Sequence, residues 1–411
     1  MTTPVFVIVG GGPCAASAAA TLRSAGFDGR LVVVAGEPVV PYERPPLSKD
    51  YLTGHLDGAE LPVRPASWYA EQGVELRLGE RAEGIDDRER VVRLAGGERL
   101  GYDALLLATG GRPRPFEGLQ GSAGGERVAY LRTRGDADRL AERLRQGEPL
   151  VVLGGGFIGC EVAASARRLG VEVTVLEMAQ VPLERALGAQ VGSQLAEIHR
   201  DAGVDFRTGE QVQSVSETAD GLVVTTDRSR LECGLLLAAV GMLPNTEIVT
   251  GTSVKCHNGI VVDEHCRTAV PDIYAAGDVA AHYHPLYGRH LRVEHHDNAI
   301  KHGAVAARNM LGEDVAHDDP HWFWSNQYEH NLQSAGFNEG CDEVVVRGSI
   351  AERSFARFCL ADGQVRAVVA LNRGRDVIAA RKLIASGLRV SAAALRDESV
   401  DLRRLARAVV R

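Results

Sequence analysis

The chain has no Cys-x-x-Cys pair, no apolar run long enough to cross a membrane and no excess of basic charge. Its seven cysteines (Cys14, Cys160, Cys233, Cys256, Cys266, Cys341 and Cys359) are widely spaced and odd in number. That pattern predicts no disulfide scaffold, zinc ribbon or iron–sulfur site, and reads as buried or half-buried thiols. The run Leu235–Leu243 is nine residues long and reads as a buried strand rather than a span. A net charge of −8 argues against a nucleic-acid binder. A first strand starting about residue 5 leaves no room for a signal or transit peptide. The expectation is a cytoplasmic protein with no nucleic-acid or membrane partner.

What is present is a composition of 45% apolar and 24% charged residues over 411 positions, enough for two or three domains. One phosphate-binding pattern occurs twice, 144 residues apart. Val5–Val9 leads into Gly10-Gly-Gly12-Pro-Cys14-Ala15, and Leu150–Leu153 leads into Gly154-Gly-Gly156-Phe-Ile-Gly159-Cys-Glu161. Each is a short apolar run, a G-x-G-x-x-G/A turn and a small-residue helix, expected over about 14–25 and 158–169. Such a turn lets the backbone approach a pyrophosphate, and the helix behind it offers free N–H groups and a positive dipole end. One copy is weak evidence, whereas two copies imply two dinucleotides.

An acid follows each turn. Leu31–Val34 leads to Glu37, 25 residues beyond Gly12, and the strand Glu172–Leu176 leads to Glu177, 18 residues beyond Gly159. Such acids reach ribose hydroxyls, although an ordinary strand-end acid reads the same way. No Lys or Arg follows Glu177 until Arg185. A carboxylate there repels a 2′-phosphate, which favours NAD over NADP. Two further runs resemble each other: Leu105-Leu-Leu-Ala-Thr109-Gly110-Gly-Arg-Pro and Leu235-Leu-Leu-Ala-Ala-Val-Gly241-Met-Leu-Pro. Both read as buried strands that end in a crossing turn. Thr109, Gly110 and Gly241 at those turns are candidate cofactor contacts. The expected plan is an α/β chain with two Rossmann-like domains: residues 1–112 and 244–320 form the first and 113–243 the second. Residues 321–411 form a C-terminal α+β domain, with strands over 343–347 and 367–371 and helices near 377–386 and 401–411.

Five stretches carry a family resemblance: Pro41-Tyr-Glu-Arg44-Pro-Pro-Leu-Ser-Lys49, Ala108–Pro115, Gly154–Glu161, Ile273-Tyr-Ala-Ala-Gly277-Asp278-Val279 and Trp322-Phe-Trp-Ser-Asn-Gln-Tyr328. The chain resembles the putidaredoxin-reductase family, FAD-containing NADH-dependent ferredoxin reductases with a glutathione-reductase-like fold that serve monooxygenases and ring-hydroxylating dioxygenases. The resemblance implies that Gly10, Gly12, Cys14 and Ala15 cradle the FAD pyrophosphate and that Glu37 takes its ribose. It also implies flavin or phosphate contacts at Arg44 and Arg132, a backbone contact near adenine at Ala82, and a ribityl contact at Asp278. Gly154, Gly156, Gly159 and Glu177 serve the NAD. His296 falls where the family commonly carries Trp or Val against the flavin. Trp322 is expected near cofactor or partner, with a plain core aromatic as the alternative.

Lys49 and Glu161 are the implied catalytic pair, meeting beside the flavin in the family fold. A solvated lysine and a dipole-favoured acid in a first helical turn are the alternatives. No general acid or nucleophile is required, because hydride passes directly between the cofactors and the protein supplies alignment and electrostatics. His282, His284, His290, His295, His296 and His302 invite a metal reading. Carboxylate and cysteine partners at ligand spacing are missing, so no metal site is expected. A disulfide reductase or NADH oxidase of the same fold would need a redox cysteine after the first ribose acid, and Glu37–Lys49 holds none. An apoptosis-inducing-factor-like NADH sensor usually carries targeting segments or insertions, which are missing here. The expected partner is a transient, acidic 2Fe–2S ferredoxin, because residues 321–411 carry a net +4 against −12 elsewhere. Arg366, Arg373, Arg375, Arg381 and Lys382 are the candidate contacts on a monomer or weak homodimer.

Overall fold

A computed structural model describes residues 3–120 and 125–407. They form two compact units. One comprises residues up to Arg44, Gly58–Arg112 and Met242–His321. The other comprises Pro45–Asp57, the described part of Pro113–Gly241, and Trp322 onward.

The first unit is built on a five-stranded sheet in the order Ile273–Ala275, Ala104–Leu107, Val5–Val9, Arg30–Ala35, Val74–Leu78. All pairings are parallel, with Val7 opposite both Val32 and Leu105. Parallel strands are covered on both faces, which is why these segments read as unbroken Val/Leu/Ile runs rather than alternations. The helix Pro13–Ser24 covers one face, with proline at its start where no donor is needed. A Cβ on Gly303 would lie 2.3 Å from the Cys14 carbonyl oxygen, so the helix His296–Met310 can approach Pro13–Ser24 only with glycine there. A second sheet, Ile260–Val262, Ala280–His284 and Arg289–Leu291, completes this unit's core with the hairpin strands Ala82–Asp86 and Val91–Leu94.

The second unit repeats the plan in the order Val128–Ala129, Leu235–Ala238, Leu150–Leu153, Val173–Glu177, Asp205–Thr208, again all parallel. The run expected as one strand over Leu235–Leu243 breaks after Ala238, because Gly241 turns the chain at φ +107° before the short strand Met242–Pro244. The same unit holds a five-stranded antiparallel sheet, ordered Trp322–Gln327, His330–Gly336, Gln364–Leu371, Ser354–Ala361, Glu343–Ser349. Sequence patterning finds only two of these five strands. The other three lack a clean apolar run or alternation, being broken by residues such as Ser325, Gln333 and Arg357, and gain their identity from cross-strand pairing. The helix Gly374–Ser386 starts three residues earlier than expected, with Asp376 in its first turn where the dipole favours an acid. The helix expected over 401–411 is seen as Leu402–Arg407, and residues 408–411 lie outside the described residues.

The thiol expectation needs correction. Cys341, two residues before the strand Glu343–Ser349, forms a disulfide with Cys359 of the adjacent strand Ser354–Ala361, the Cα atoms 5.4 Å apart. Strand pairing rather than sequence spacing brings these two together. Cys256 is exposed, while Cys14, Cys160, Cys233 and Cys266 are buried thiols.

Candidate active site

The first turn is shaped for a phosphate. Gly10 sits at φ +141°, and a Cβ there would lie 2.1 Å from the Ala108 carbonyl oxygen. Gly12 caps the helix Pro13–Ser24 with no side-chain hydrogen bond, and a Cβ on it would meet nothing within 4 Å. The helix therefore starts beside open space with no capping side chain, the arrangement an anionic pyrophosphate fits. Glu37 follows the strand Arg30–Ala35 and accepts from Tyr42 Oη (2.6 Å) and Arg44 Nη2 (2.8 Å). Burial opposes the charge on Arg44, but Tyr42 and Glu37 outweigh it and hold the pKa above its usual value. Asp278, in the turn Gly277–Val279, acts electrostatically on Cys14, Arg44 and His295. Gly10, Gly12, Cys14, Ala15, Glu37, Arg44 and Asp278 thus gather within one unit. His296 pairs with Glu43 of the same unit.

The second turn is its counterpart. A Cβ on Gly159 would lie 2.1 Å from the Gly154 carbonyl oxygen, so only glycine lets the helix Phe157–Arg168 start this close to its strand. Gly156 caps that helix without a side-chain hydrogen bond and, like Gly12, faces open space. Glu177 closes the strand Val173–Glu177 and accepts from the N–H of Gly155 (2.8 Å) and Ala179 (2.7 Å). Two backbone donors pin the carboxylate beside the glycine turn and leave its remaining lone pairs to hydroxyl donors. Met178, next to it, is 67% exposed.

Lys49 and Glu161 do meet. Lys49 Nζ lies 2.5 Å from Glu161 Oε2, with the side chains only 14% and 5% exposed. Lys49 also donates to the Pro45 carbonyl (3.1 Å). Glu161 accepts from Ser48 Oγ (2.5 Å) on one oxygen and from Ser325 Oγ (2.7 Å) on the other. The chain of bonds continues: Gln327 Nε2 donates to Ser325 Oγ (3.0 Å), His199 Nε2 to Gln327 Oε1 (2.9 Å), and Tyr328 Oη to His199 Nδ1 (3.0 Å). A buried ion pair is tolerated only when its remaining sites are hydrogen-bonded, and this one is. Ser48, Ser325, Gln327 and His199 were not singled out from sequence. A signal was present for two of them: the alternation Trp322-Phe-Trp-Ser-Asn-Gln places Ser325 and Gln327 on one strand face, and both are buried.

His199 makes this network acid-sensitive. Burial lowers its pKa from the usual 6.5 to about 4, partly countered by its bond to Gln327. Above pH 6.5 both folded and unfolded chains carry a neutral imidazole. As pH falls from 6.5 through 4, the unfolded chain takes up a proton that the folded chain refuses, which costs about 3 kcal/mol at the lower end. Urea unfolding at pH 7 and pH 4.5 should therefore show wild type losing more stability than His199→Gln. Equal losses would remove His199 from the acid response.

Other expected contacts have local duties. Thr109 Oγ1 donates to the Asn245 carbonyl (2.8 Å) and Asn245 returns a bond to the Thr109 carbonyl (2.9 Å), with Asn245 N–H on the Gly110 carbonyl. These residues join the two crossing segments, a role that sequence reasoning missed for Asn245. Gly241 accepts from Arg114 N–H (2.9 Å). Ala82 begins a strand packed on the first unit's core. Arg132 lies in the second unit, just before the helix Arg134–Arg145, with its N–H on Asp136. Trp322 stacks on Trp324 (5.1 Å), lies under Arg381 (5.2 Å) and donates to Gln333 (3.2 Å). Among the expected docking residues, Arg373 is held by Asp376 and Glu398, whereas Arg366, Arg375 and Lys382 are exposed. Arg375, Ile378 and Lys382 share the open face of the helix Gly374–Ser386. The histidines expected to bind no metal are discussed below.

The chain is similar to known proteins along nearly its whole length. The pyridine nucleotide-disulphide oxidoreductase pattern matches residues 5–303, and a reductase C-terminal pattern matches 322–406. The chain is 42% identical to the ferredoxin–NAD(+) reductase component of an anthranilate 1,2-dioxygenase system from Burkholderia cepacia, over 98% of this chain and 99% of that one. It is 38% identical to putidaredoxin reductase from Pseudomonas putida, over 97% and 96%. A crystal structure of a covalent putidaredoxin reductase–putidaredoxin complex superposes with a TM-score of 0.96 at 37% identity, covering all of both chains. A water-forming NADH oxidase from Lactobacillus brevis shares the fold alone, at TM-score 0.87 and 21% identity. With two dinucleotide turns, a buried Lys–Glu pair and a C-terminal sheet domain in place, the chain belongs to the pyridine nucleotide-disulphide oxidoreductase family, in the branch that carries a reductase C-terminal domain.

Proposed function

We propose that this chain is an FAD-dependent NADH:ferredoxin reductase that feeds a monooxygenase or ring-hydroxylating dioxygenase. The observation that carries the reading is the pair of open, glycine-lined helix starts, each with its own acid, on a chain with no cysteine between Glu37 and Lys49. Without a thiol there, electrons have no route onto a protein disulfide beside the first cofactor. When bound, the flavin supplies the step from two-electron hydride acceptance to one-electron release. The protein's own residues do the rest. Gly12 and the helix behind it hold the FAD phosphates, Glu37 and Asp278 its hydroxyls. Gly156 and Glu177 orient the NADH. Lys49 supplies fixed positive charge for the reduced ring, and Glu161, with Ser48 and Ser325, holds that ammonium in place. The FAD domain is residues 1–112 and 244–320, the NAD domain 113–243 and the interface domain 321–411. We place the protein in the cytoplasm; among the described residues, no helix is long and apolar enough to cross a membrane.

A 2Fe–2S cluster takes one electron at a time, so two docking events follow each NADH. Transient, charge-steered contact suits that cycle. The basic stripe of Arg375 and Lys382 around exposed Ile378 is the proposed contact for an acidic ferredoxin. Ferredoxin reduction should slow as ionic strength rises, because exposed charges are screened beyond about 8 Å at physiological salt. Arg375→Glu/Lys382→Glu should flatten that dependence, while reduction of a neutral quinone stays unchanged. A flat salt profile in wild type would place docking elsewhere. Failure to reduce any 2Fe–2S ferredoxin, with rapid oxygen consumption instead, would favour the NADH-oxidase reading.

A further inference from the structure

The first unit encloses a cluster of histidines that no part of the proposed reaction uses. His282 and His284 point to one face of the strand Ala280–His284, His302 comes from the helix His296–Met310, and His317 and His321 from the segment that follows. All five are buried, at 5% exposure or less. Their rings pack against one another: His284–His321 at 4.7 Å, His284–His317 at 5.6 Å, His302–His317 at 4.4 Å and His282–His302 at 4.6 Å between centroids. Sequence spacing puts these residues up to 39 positions apart and hides the cluster, and it also hides Cys266 as a neighbour.

Nitrogen lone pairs decide what the cluster can do. His284 Nε2 donates to the Asp319 carbonyl at 3.0 Å, so its proton is fixed there and Nδ1 carries a lone pair. His284 Nδ1 and His317 Nε2 are buried with no hydrogen-bond partner. A buried polar atom left unpaired is costly, and a bound ion relieves that cost. His284, His317 and His321 present ligand atoms all within 4.8 Å of one another. We propose that these three imidazoles form a binding site for one borderline-soft divalent cation, of which zinc is the type. Three imidazoles drawn this close are the donor set such an ion takes, with Zn–N bonds of about 2.0–2.1 Å. An N–H of the ligand histidine held by a backbone carbonyl is the usual outer support of a metal site. Asp318 and Asp319 act electrostatically on His284, while Lys301, paired with Asp319 at 2.8 Å, acts on His317.

A second three-ligand set, Cys266, His282 and His302, adjoins the first. It is the poorer site. His302 Nδ1 faces the Gly277 N–H at 3.4 Å, so binding through Nε2 would set a second proton against that donor, and burial disfavours the Cys266 thiolate. The ion at His284, His317 and His321 would tie the strand Ala280–His284 to the segment that ends the first unit, a structural clamp rather than a catalytic centre.

The test uses untagged, FAD-loaded protein, stripped with chelator and dialysed against zinc. Elemental analysis should find about one zinc per chain, with Tm several degrees above the stripped protein. His284→Ala/His317→Gln should bind none and show no zinc-dependent rise in Tm, while keeping the flavin spectrum and the stripped wild-type Tm to within a few degrees. His284→Gln alone, a milder change, should weaken binding at least tenfold if the double variant folds poorly. Cys266→Ser should bind as wild type does. No bound zinc and no Tm rise in wild type would overturn the site. So would undiminished binding in the histidine variants, or loss of binding in Cys266→Ser alone.

Discussion

Reduction by NADH, followed in a stopped-flow instrument, should slow on the order of 10²-fold when Lys49 becomes Met, the scale seen when one preorganised charge or donor is removed from a developing anion. FAD content should stay near wild type, because the phosphates are held by the glycine turn and not by Lys49. The variant also leaves Glu161 as a 5%-exposed carboxylate with hydroxyl donors only, from Ser48 and Ser325. Some loss of stability is therefore expected alongside the rate loss. Glu161→Gln keeps the hydroxyl contacts while removing the charge, and separates the two effects. Ser325→Ala should give a smaller defect, since Ser48 and Lys49 continue to hold the other carboxylate oxygen. If the two variants act through one unit, the double variant should be little slower than Lys49→Met alone. Wild-type reduction rates in both single variants would remove the pair from the reaction.

The second large effect is expected in the choice of nicotinamide. Wild type should favour NADH strongly in kcat/KM, because a 2′-phosphate would meet the Glu177 carboxylate that Gly155 and Ala179 hold in place. Glu177→Gln keeps an acceptor for the Gly155 N–H and removes the repulsion, so it should narrow the preference. Glu177→Gln with Met178→Arg adds a phosphate partner at a side chain already turned to solvent, and should shift the NADPH/NADH ratio on the order of 10²-fold. Comparable kcat/KM for the two cofactors in wild type would sink the assignment of Glu177.

Local chemistry made much of this protein legible in one dimension. Gly10, Gly12, Gly154, Gly156 and Gly159 mark turns that only glycine can make or leave open, so they announce themselves at fixed spacing. The acids Glu37 and Glu177 follow at strand ends, and buried parallel strands read as plain apolar runs. Those features determined two dinucleotide folds and their order. Tertiary structure alone decided what depends on distant partners. Ser325 meets Glu161 across 164 positions, Asn245 meets Thr109 across 136, and His199 reaches Gln327 across 128. The pairing of Cys341 with Cys359 follows from strand register, and three strands of the C-terminal sheet from cross-strand contact. The histidines are the clearest case. Six histidines between 282 and 302 invited a metal reading that left out His317 and His321, and only a strand, a helix and a loop folding onto one another brought the clustered rings together. A hydrogen bond or a ligand set is a property of positions in space, and a sequence records those only where one turn or one period of secondary structure spans them.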